Sequence, residues 1–567
     1  TRRKSVQPSP APHSPAQPAM PDTTDAPARC LPWNDVSSIP QLAADYADGT
    51  GTAASYFAYD RHDVGDQQSA ADVGAARPRD RAVLADVLTQ QNAAWDNDSM
   101  RVQANIDALR NPDTIAVVTG QQVGLFGGPL YTLYKTCTAL AWAEHLAKQT
   151  GRTVVPVFWI EGEDHDFDEI AHTHVLARNE VVSLDYAPDP APAGPVGPNT
   201  LGKTIRAPLS TLDSALPPSD FKPAVYSAIA EAYTSERTVE DAFARLIATW
   251  FADTGLVLLN PDDRRLKRLV RPLIAHDMDH SAEAVAAVQS AGKALQADGY
   301  HMQVQARPTN FFWMQKDGRY AIDANDDGTF TLRHDGRTWS RGELQRHIDE
   351  EPERFSPNVV TRPLVQDQLL PTAAYVAGPG EISYFAQYRA VYEWADTTMP
   401  LIVPRASMTL VEGKVQKVLD KYELSVRDIE QQTAEQLFQS VVVDVMDVDI
   451  DSAFGQTASR IHQALNDVKP AAESVDATLG RSVEATRAAF VNELDDLKQR
   501  VVRAEKRQHD EVRAQIEKAC TNLMPTRSLQ ERVLNPAYFF NKYSMDLLDT
   551  IRDQIDVTDA SHRVVQL

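Results

Sequence analysis

Short apolar runs of strand length alternate with helical patterns along the first 410 residues. Residues 115–119 form a β-branched run that ends at a glycine, a helical pattern follows over about 130–148, and residues 154–160 form a second run. The order strand, helix, strand is typical of a βαβ unit and a parallel sheet. Similar runs follow at 255–260, 373–377 and 401–403. We therefore predict an α/β fold whose parallel sheet is assembled from separate parts of the chain.

Two insertions interrupt the predicted sheet. The first begins with a Pro-rich loop and ends in a helix, and the second carries short β-like runs at 302–305, 310–314, 319–323 and 329–333. A Gly/Asp-rich turn between the last two runs predicts a hairpin. The predicted division is a disordered arm (1–35), N-terminal helices and the first half of the core (36–175), the first insertion (176–250), core (251–297), the second insertion (298–362), core (363–410), a helical coiled coil (411–535) and a C-terminal segment (536–567).

After residue 407 the pattern is almost wholly helical. Apolar residues recur at steps of four and three from Phe454 to Leu479, and a second series begins at Phe490. This spacing is the a/d seam of a coiled coil. Pro470 is expected to kink the first helix, and Gly480 to support a turn between the two. Seams of this length favour an antiparallel hairpin or pairing with a second chain, so we predict a homodimer.

Composition narrows the classes of function. The formal net charge of −23 argues against nucleic acid as a partner, because binding phosphates relies on Lys and Arg. No run reaches the ~18 apolar residues of a membrane helix, so no membrane partner is expected. The cysteines, Cys30, Cys137 and Cys520, show neither disulfide nor zinc-site spacing. We expect a soluble cytoplasmic enzyme that acts on small molecules.

The first candidate site is the glycine-rich turn TGQQVGLFGGPLYTLYK, residues 119–135. It joins a predicted strand to a helix, and a helix N-terminus at the carboxyl end of a parallel strand favours an anionic ligand. The turn matches neither standard glycine motif for nucleotides, and a loop that needs glycines only to turn is the alternative. The side chains expected to face the crevice are Gln121, Gln122, Tyr131, Thr132 and Lys135.

The second candidate site follows the next strand, where five carboxylates and one imidazole lie within residues 161–168. Clustered carboxylates and a histidine suit binding an ammonium group and removing its proton. The predicted catalytic residues are Glu163, Asp164, His165 and Asp166. A metal site of His165, Asp166, His172 and His174 is an alternative, but the spacing fits no standard signature, so no metal is predicted. An acidic loop in an acid-rich protein is the other alternative.

Two further strand-to-helix turns carry candidates. Gly378, Glu381, Tyr384 and Gln387 lie on or beside one face of a predicted helix. Arg405 and Ser407 follow the last predicted strand, and Arg405 is a candidate anion clamp. A simple turn with a solvated arginine explains each of these segments equally well. Together, however, the four loops are expected at the same edge of one sheet.

These segments resemble one known family. The residues that carry the resemblance are TGQQVGLFGGPLYTLYK (119–135), PVFWIEGEDHDFDE (156–169), YVAGPGEISYFAQY (375–388), VPRASMTLVE (403–412) and NPAYFFNKY (535–543). They are similar to segments of the cysteine ligases of bacillithiol biosynthesis. The resemblance implies a Rossmann-like, doubly wound core with two inserted connecting domains and a C-terminal coiled coil that mediates dimerisation. It also implies a reaction, the last step of the pathway, in which cysteine is joined to the amino group of glucosaminyl-malate.

The compound that activates the cysteine carboxyl is a separate question. The fold that the resemblance implies is similar to that of class I aminoacyl-tRNA synthetases and the mycothiol cysteine ligase, which form an adenylate. Residues 128–132 lack the histidines of those enzymes, and residues 405–408 lack their lysines. No cofactor is therefore predicted with certainty, and ATP or ADP is kept as a candidate ligand. The rival hypotheses are a metal-dependent hydrolase that uses the acid/His cluster from Glu163 to His174 and a non-catalytic coiled-coil dimer.

Overall fold

A computed structural model describes residues 29–191, 194–305, 307–445 and 450–567. The strands are β1 (Arg29–Leu31), β2 (Ile115–Gln122), β3 (Val154–Glu161), β4 (His172–Ala177), β5 (Glu180–Asp185), β6 (Val257–Leu259), β7 (Phe311–Gln315), β8 (Gly318–Ala324), β9 (Phe330–Leu332), β10 (Thr338–Trp339), β11 (Phe355–Pro357), β12 (Thr372–Ala377), β13 (Leu401–Pro404), β14 (Ser407–Val411) and β15 (His562–Gln566). The helices are α1 (Gln41–Asp48), α2 (Val64–Ala76), α3 (Arg81–Ala94), α4 (Met100–Ala108), α5 (Leu130–Thr150), α6 (Phe167–Ile170), α7 (Arg206–Ala215), α8 (Lys222–Ala232), α9 (Val239–Trp250), α10 (Arg264–Ala297), α11 (Arg341–Glu350), α12 (Arg362–Leu369), α13 (Pro379–Phe385), α14 (Arg389–Trp394), α15 (Gly413–Lys421), α16 (Val426–Gln431), α17 (Ala434–Val445), α18 (Ile450–Val475), α19 (Leu479–Leu523), α20 (Gln530–Val533), α21 (Pro536–Tyr543) and α22 (Leu547–Asp553).

The predicted parallel sheet is present, in the order β13-β12-β2-β3-β6. Its strands are short apolar runs because both faces are covered by other elements. Ala116 and Val118 of β2 belong to the same core as Leu84 of α3, whereas Ile115 and Val117 pack with Trp142 of α5. Helices on both faces make the core doubly wound, which confirms the predicted fold class.

The two insertions carry small antiparallel sheets. In the first, β4 and β5 form a hairpin that precedes α7 to α9. In the second, the order is β10-β9-β8-β7-β11, and the predicted hairpin is formed by β8 and β9. The strand expected at 302–305 is absent. Its backbone N–H groups at Gln303 and Val304 donate instead to the side-chain oxygen of Gln387, at 2.8 Å each.

The helices α18 and α19 form an antiparallel hairpin. Lys469 lies 2.8 Å from Glu484, and Lys498 lies 2.6 Å from Asp451, so positions along the two helices pair in opposite directions. The turn comes just before α19, and Gly480 lies inside the first turn of that helix. Helix α18 continues through Pro470. No helix in the described ranges is long and apolar enough to cross a membrane.

A second sheet joins the two ends of the chain. Strand β15 lies between β1, to which it is antiparallel, and β14, to which it is parallel. The expectation of an almost wholly helical region after residue 407 is therefore wrong at these strands. The predicted arm (1–35) also ends too late, because β1 and the fully buried Trp33 belong to the fold. The rest of that arm, residues 1–28, lies outside the described residues.

Candidate active site

A cavity of about 400 Å³ lies at the carboxyl ends of β2, β3, β12 and β13. Loops that follow parallel strands meet at this edge of an open sheet, which is where ligands bind in such folds. Nine of the predicted site residues line the cavity, and they come from all four predicted loops. They are Gln121, Gln122, Tyr131, Lys135, Asp164, Gly378, Glu381, Tyr384 and Arg405.

The floor of the cavity is held by an ion pair between Lys135 of α5 and Glu381 of α13. The Lys135 Nζ lies 2.5 Å from Glu381 Oε2 and donates to the Gly120 carbonyl at 2.8 Å. The carboxylate of Glu381 also accepts from the Tyr375 hydroxyl and the Gly378 N–H, both at 2.6 Å. Burial raises the pKa of Glu381, but the ammonium of Lys135 outweighs it and holds that pKa low. The pair therefore ties the glycine turn to the third loop.

Arg405 is already paired within the protein. Its Nη2 donates at 2.7 Å to Glu531, whose side chain is 1% exposed. The same carboxylate accepts from Ser407 Oγ at 3.0 Å and from the Met408 N–H at 2.9 Å. Ser407 is fully buried and also contacts His562 Nδ1 at 2.8 Å. The structure thus turns Ser407 away from the cavity and leaves Arg405 as part of its wall.

The side chains of the acidic loop, residues 161–168, point in different directions. The buried Glu163 binds Lys267 and accepts from Ser356 Oγ at 2.6 Å, away from the cavity. His165 has 63% of its side chain exposed, and Asp166 caps α6. Only Asp164 of the four predicted catalytic residues reaches the cavity, where it accepts from Gln122 Nε2 at 3.0 Å. The four side chains therefore do not face one ligand in this structure.

Gln387 and the N-terminus of α5 also differ from expectation. Gln387 is fully buried against residues 303–304, because the helix breaks between α13 and α14 and aims this side chain away from the cavity. At α5, the Leu130 N–H donates to the Leu534 carbonyl at 2.9 Å, and the Thr132 N–H donates to Pro129 at 3.0 Å. These donors are therefore occupied by the protein.

A second cavity of about 240 Å³ adjoins the first and shares Gln121, Gln122, Tyr131 and Arg532 with it. Thr132, His172 and His174 line this second cavity, and His165 does not. Among the described residues, no group of three or more His, Cys, Asp or Glu side chains is arranged to hold a metal ion. The alternative ligand set of His165, Asp166, His172 and His174 is not brought together.

Comparison with known proteins decides the family. Residues 28–406 match the N-terminal Rossmann-like domain of BshC, of bacillithiol biosynthesis, and residues 408–567 match the BshC C-terminal coiled-coil domain. The chain belongs to the BshC family. The resemblance noted in the sequence is thereby confirmed.

Individual relatives cover almost the whole chain. A protein of Salinibacter ruber is 55% identical over 548 residues, which are 96% of this chain and 100% of the relative. Proteins of Chlorobaculum tepidum (34% identical; 87% of this chain and 90% of the relative) and Geobacillus kaustophilus (31%; 93% and 98%) are also similar. All three carry the name "Putative cysteine ligase BshC". The expectation of an enzyme of the ligase class is confirmed.

Several residues that line the cavity were not among the predicted site residues. Trp159 precedes the predicted acidic cluster, and Glu161 is the first carboxylate of that cluster but was not given a role. Arg319, Arg362 and Arg532 come from the second insertion, the start of α12 and the segment after the coiled coil. Glu161 could have been found as the last residue of a buried strand. The three arginines carry no local motif. With them, five cations and three carboxylates line the cavity, in a chain of net charge −23. This excess favours an anionic ligand.

Proposed function

We propose that this protein joins the carboxyl group of cysteine to the amino group of glucosaminyl-malate, which completes bacillithiol. The observation that carries the proposal is the cavity, in which carboxylates for an ammonium group and cations for an acid group face one space of about 400 Å³. That volume suits two small polar substrates. The family to which the chain belongs supports the same reaction.

Within the cavity, Asp164 and Glu161 are the groups that we assign to the acceptor amine. Burial raises the pKa of Asp164, but the His165 N–H and the charge of Arg319 outweigh it, so that pKa is lowered and Asp164 stays ionised. Burial raises the pKa of Glu161, which brings this carboxyl nearer to the range of a general base. Asp164 would hold the ammonium, and Glu161 would accept its proton before the amine attacks the activated carboxyl.

A strain that lacks the gene tests the reaction without assuming which compound activates cysteine. We expect its bacillithiol to disappear and to return with the wild-type gene. The Asp164→Asn gene is expected to restore at least about tenfold less bacillithiol than the wild-type gene, because a group that binds and orients the amine is lost. His165→Ala and Asp166→Ala test the earlier assignment of the catalytic role, and their exposed positions predict near wild-type levels.

The readout is a profile of low-molecular-weight thiols, with immunoblots to show equal amounts of each variant. An unchanged thiol pool in the deletion strain would overturn the function. Full restoration by Asp164→Asn would overturn the role of Asp164 alone.

We also propose that two chains form a homodimer through α18 and α19. Val468, Phe490 and Leu497 of the predicted seams are each about half exposed in the single chain, at 53%, 51% and 49%. An exposed apolar series of this kind favours a partner helix. Light scattering is expected to give twice the chain mass, and Phe490→Glu with Leu497→Glu to give a monomer. The control is Asp496→Lys, and a monomeric wild type at micromolar concentration would contradict the proposal.

A further inference from the structure

Two arginines of the cavity keep N–H groups without a partner. The Nη2 of Arg362 and the Nε of Arg319 are buried, and neither has a hydrogen-bond acceptor among the described residues. A buried charged donor without an acceptor is costly, and such groups are nearly always paired. Both side chains line the cavity. Their open donors therefore point to a ligand that supplies acceptors.

The two guanidinium groups are held in place by aromatic rings. The Cζ atom of Arg362 lies 5.6 Å from the ring centre of Trp159 and 5.4 Å from that of Tyr375. Arg319 lies 4.6 Å from the ring centre of Phe312, and its Nη2 donates to the Pro357 carbonyl. Stacking of this kind fixes the plane of a guanidinium, so little freedom is lost when a ligand binds.

Their remaining polar contacts are weak. Arg362 Nη1 lies 3.4 Å from Gln366 Oε1, and Arg319 Nη1 lies 3.6 Å from Asp164 Oδ1. In contrast, the Arg405 Nη2 is taken by Glu531 at 2.7 Å and Lys135 by Glu381 at 2.5 Å. Arg319 and Arg362 are thus half-buried cations of the cavity that keep N–H groups for an incoming anion. Planar carboxylates match the geometry of guanidinium groups.

We propose that Arg319 and Arg362 form a clamp for a dicarboxylate, the malyl end of the acceptor substrate. One guanidinium would bind each carboxylate, and the amino group on the adjoining sugar would then lie towards Asp164 and Glu161. This assignment of the substrate end rests on the proposed function. The sequence predicted an anion site at the 119–135 turn. The proposed clamp places that site at the second insertion and the start of α12 instead.

Binding of malate alone to the full-length protein tests the clamp without any reaction. Calorimetry is expected to show saturable binding to the wild type. Arg362→Lys and Arg319→Lys keep the positive charge but lose the planar guanidinium that binds a carboxylate through two N–H groups. We expect each substitution to weaken malate binding about tenfold. Arg362→Met, which keeps part of the packing, is expected to weaken it about a hundredfold. The matched control is Arg346→Lys, an exposed arginine of α11, which should bind as the wild type does.

Each outcome bears on the clamp. Failure of the wild type to bind malate, or unchanged binding by both lysine variants, would overturn it. Inorganic phosphate that competes as well as malate would overturn the dicarboxylate class. Thermal melting of each variant shows whether the fold is kept, and the conservative lysine variants are expected to melt within a few degrees of the wild type. Loss of malate binding in Arg362→Lys, together with a full thiol pool in the deletion strain, would keep the clamp and reject the proposed reaction.

Discussion

Replacing Glu531 by alanine is expected to lower the free energy of unfolding by about 3–5 kcal/mol, because it leaves a buried charge without its partner. That charge is the guanidinium of Arg405, whose side chain is 3% exposed. The same substitution removes the acceptor of the Ser407 hydroxyl and of the Met408 N–H. Since Arg405 lines the cavity, we also expect the variant to lose activity. Urea unfolding followed by circular dichroism measures the loss of stability.

Two comparisons isolate the buried pair. The double variant Glu531→Met with Arg405→Met removes both charges, and we expect it to recover much of the lost stability, although not the activity. Glu511→Ala removes one partner of an exposed pair with Lys421, at 4.0 Å, and should change stability by no more than about 1 kcal/mol. A Glu531→Ala variant that unfolds at the same urea concentration as Glu511→Ala would contradict the argument.

The pair also shows which part of the site could be predicted from the sequence. Arg405 was found because it follows a buried strand, and such loops meet at one sheet edge. Its partner is 126 residues away along the chain and follows the long hairpin of α18 and α19. No periodicity connects the two positions. The anion clamp at Arg405 stays a prediction, and nothing in the sequence indicated that Glu531 already accepts from one of its N–H groups.

The acidic loop shows a related limit. Its composition placed it correctly at the end of β3, but composition does not give the direction of each side chain. Glu163 turns to Lys267 and Asp164 to the cavity, because the backbone of the loop is tied to residues 196–197. The prediction that His165 and Asp166 act in catalysis is untested, and the thiol levels of the two alanine variants decide it. Among the strands, those formed by buried apolar runs could be predicted from the sequence. Strands β14 and β15 could not, because they pair with each other across 155 residues of the chain.

The acidic loop also predicts a pH dependence through Glu240 of α9, whose carboxyl packs against it. A methyl group at Gly162 or at Gly197 would overlap with that carboxyl, so the fit is tight. Burial, and then the charges of Asp262 and Asp241, raise the pKa of Glu240 to about 8. Asp262 has its own pKa raised to about 7, chiefly by burial and by Glu163. At neutral pH the folded protein therefore holds protons that the unfolded chain would release.

Stability is expected to fall as the pH rises from about 4.5, the ordinary pKa of a glutamate, to about 8. Over this window the folded state binds more protons than the unfolded state, and above it both states have lost them. Glu240→Gln removes the titration, so its unfolding free energy should fall less between pH 5.5 and pH 8.5, by on the order of a few kcal/mol. Urea unfolding at the two pH values measures the difference, with the exposed Glu231→Gln as the control.

The same proton links stability to the site. Ionised Glu240 would lie against Gly162 and Gly197 with Glu163 close by. Repulsion between the two carboxylates would shift the loop that presents Asp164 to the cavity. Wild-type activity is therefore expected to fall above about pH 8, and Glu240→Gln to retain it. Parallel pH curves for the wild type and Glu240→Gln, in both unfolding and activity, would show that this carboxyl does not control the loop.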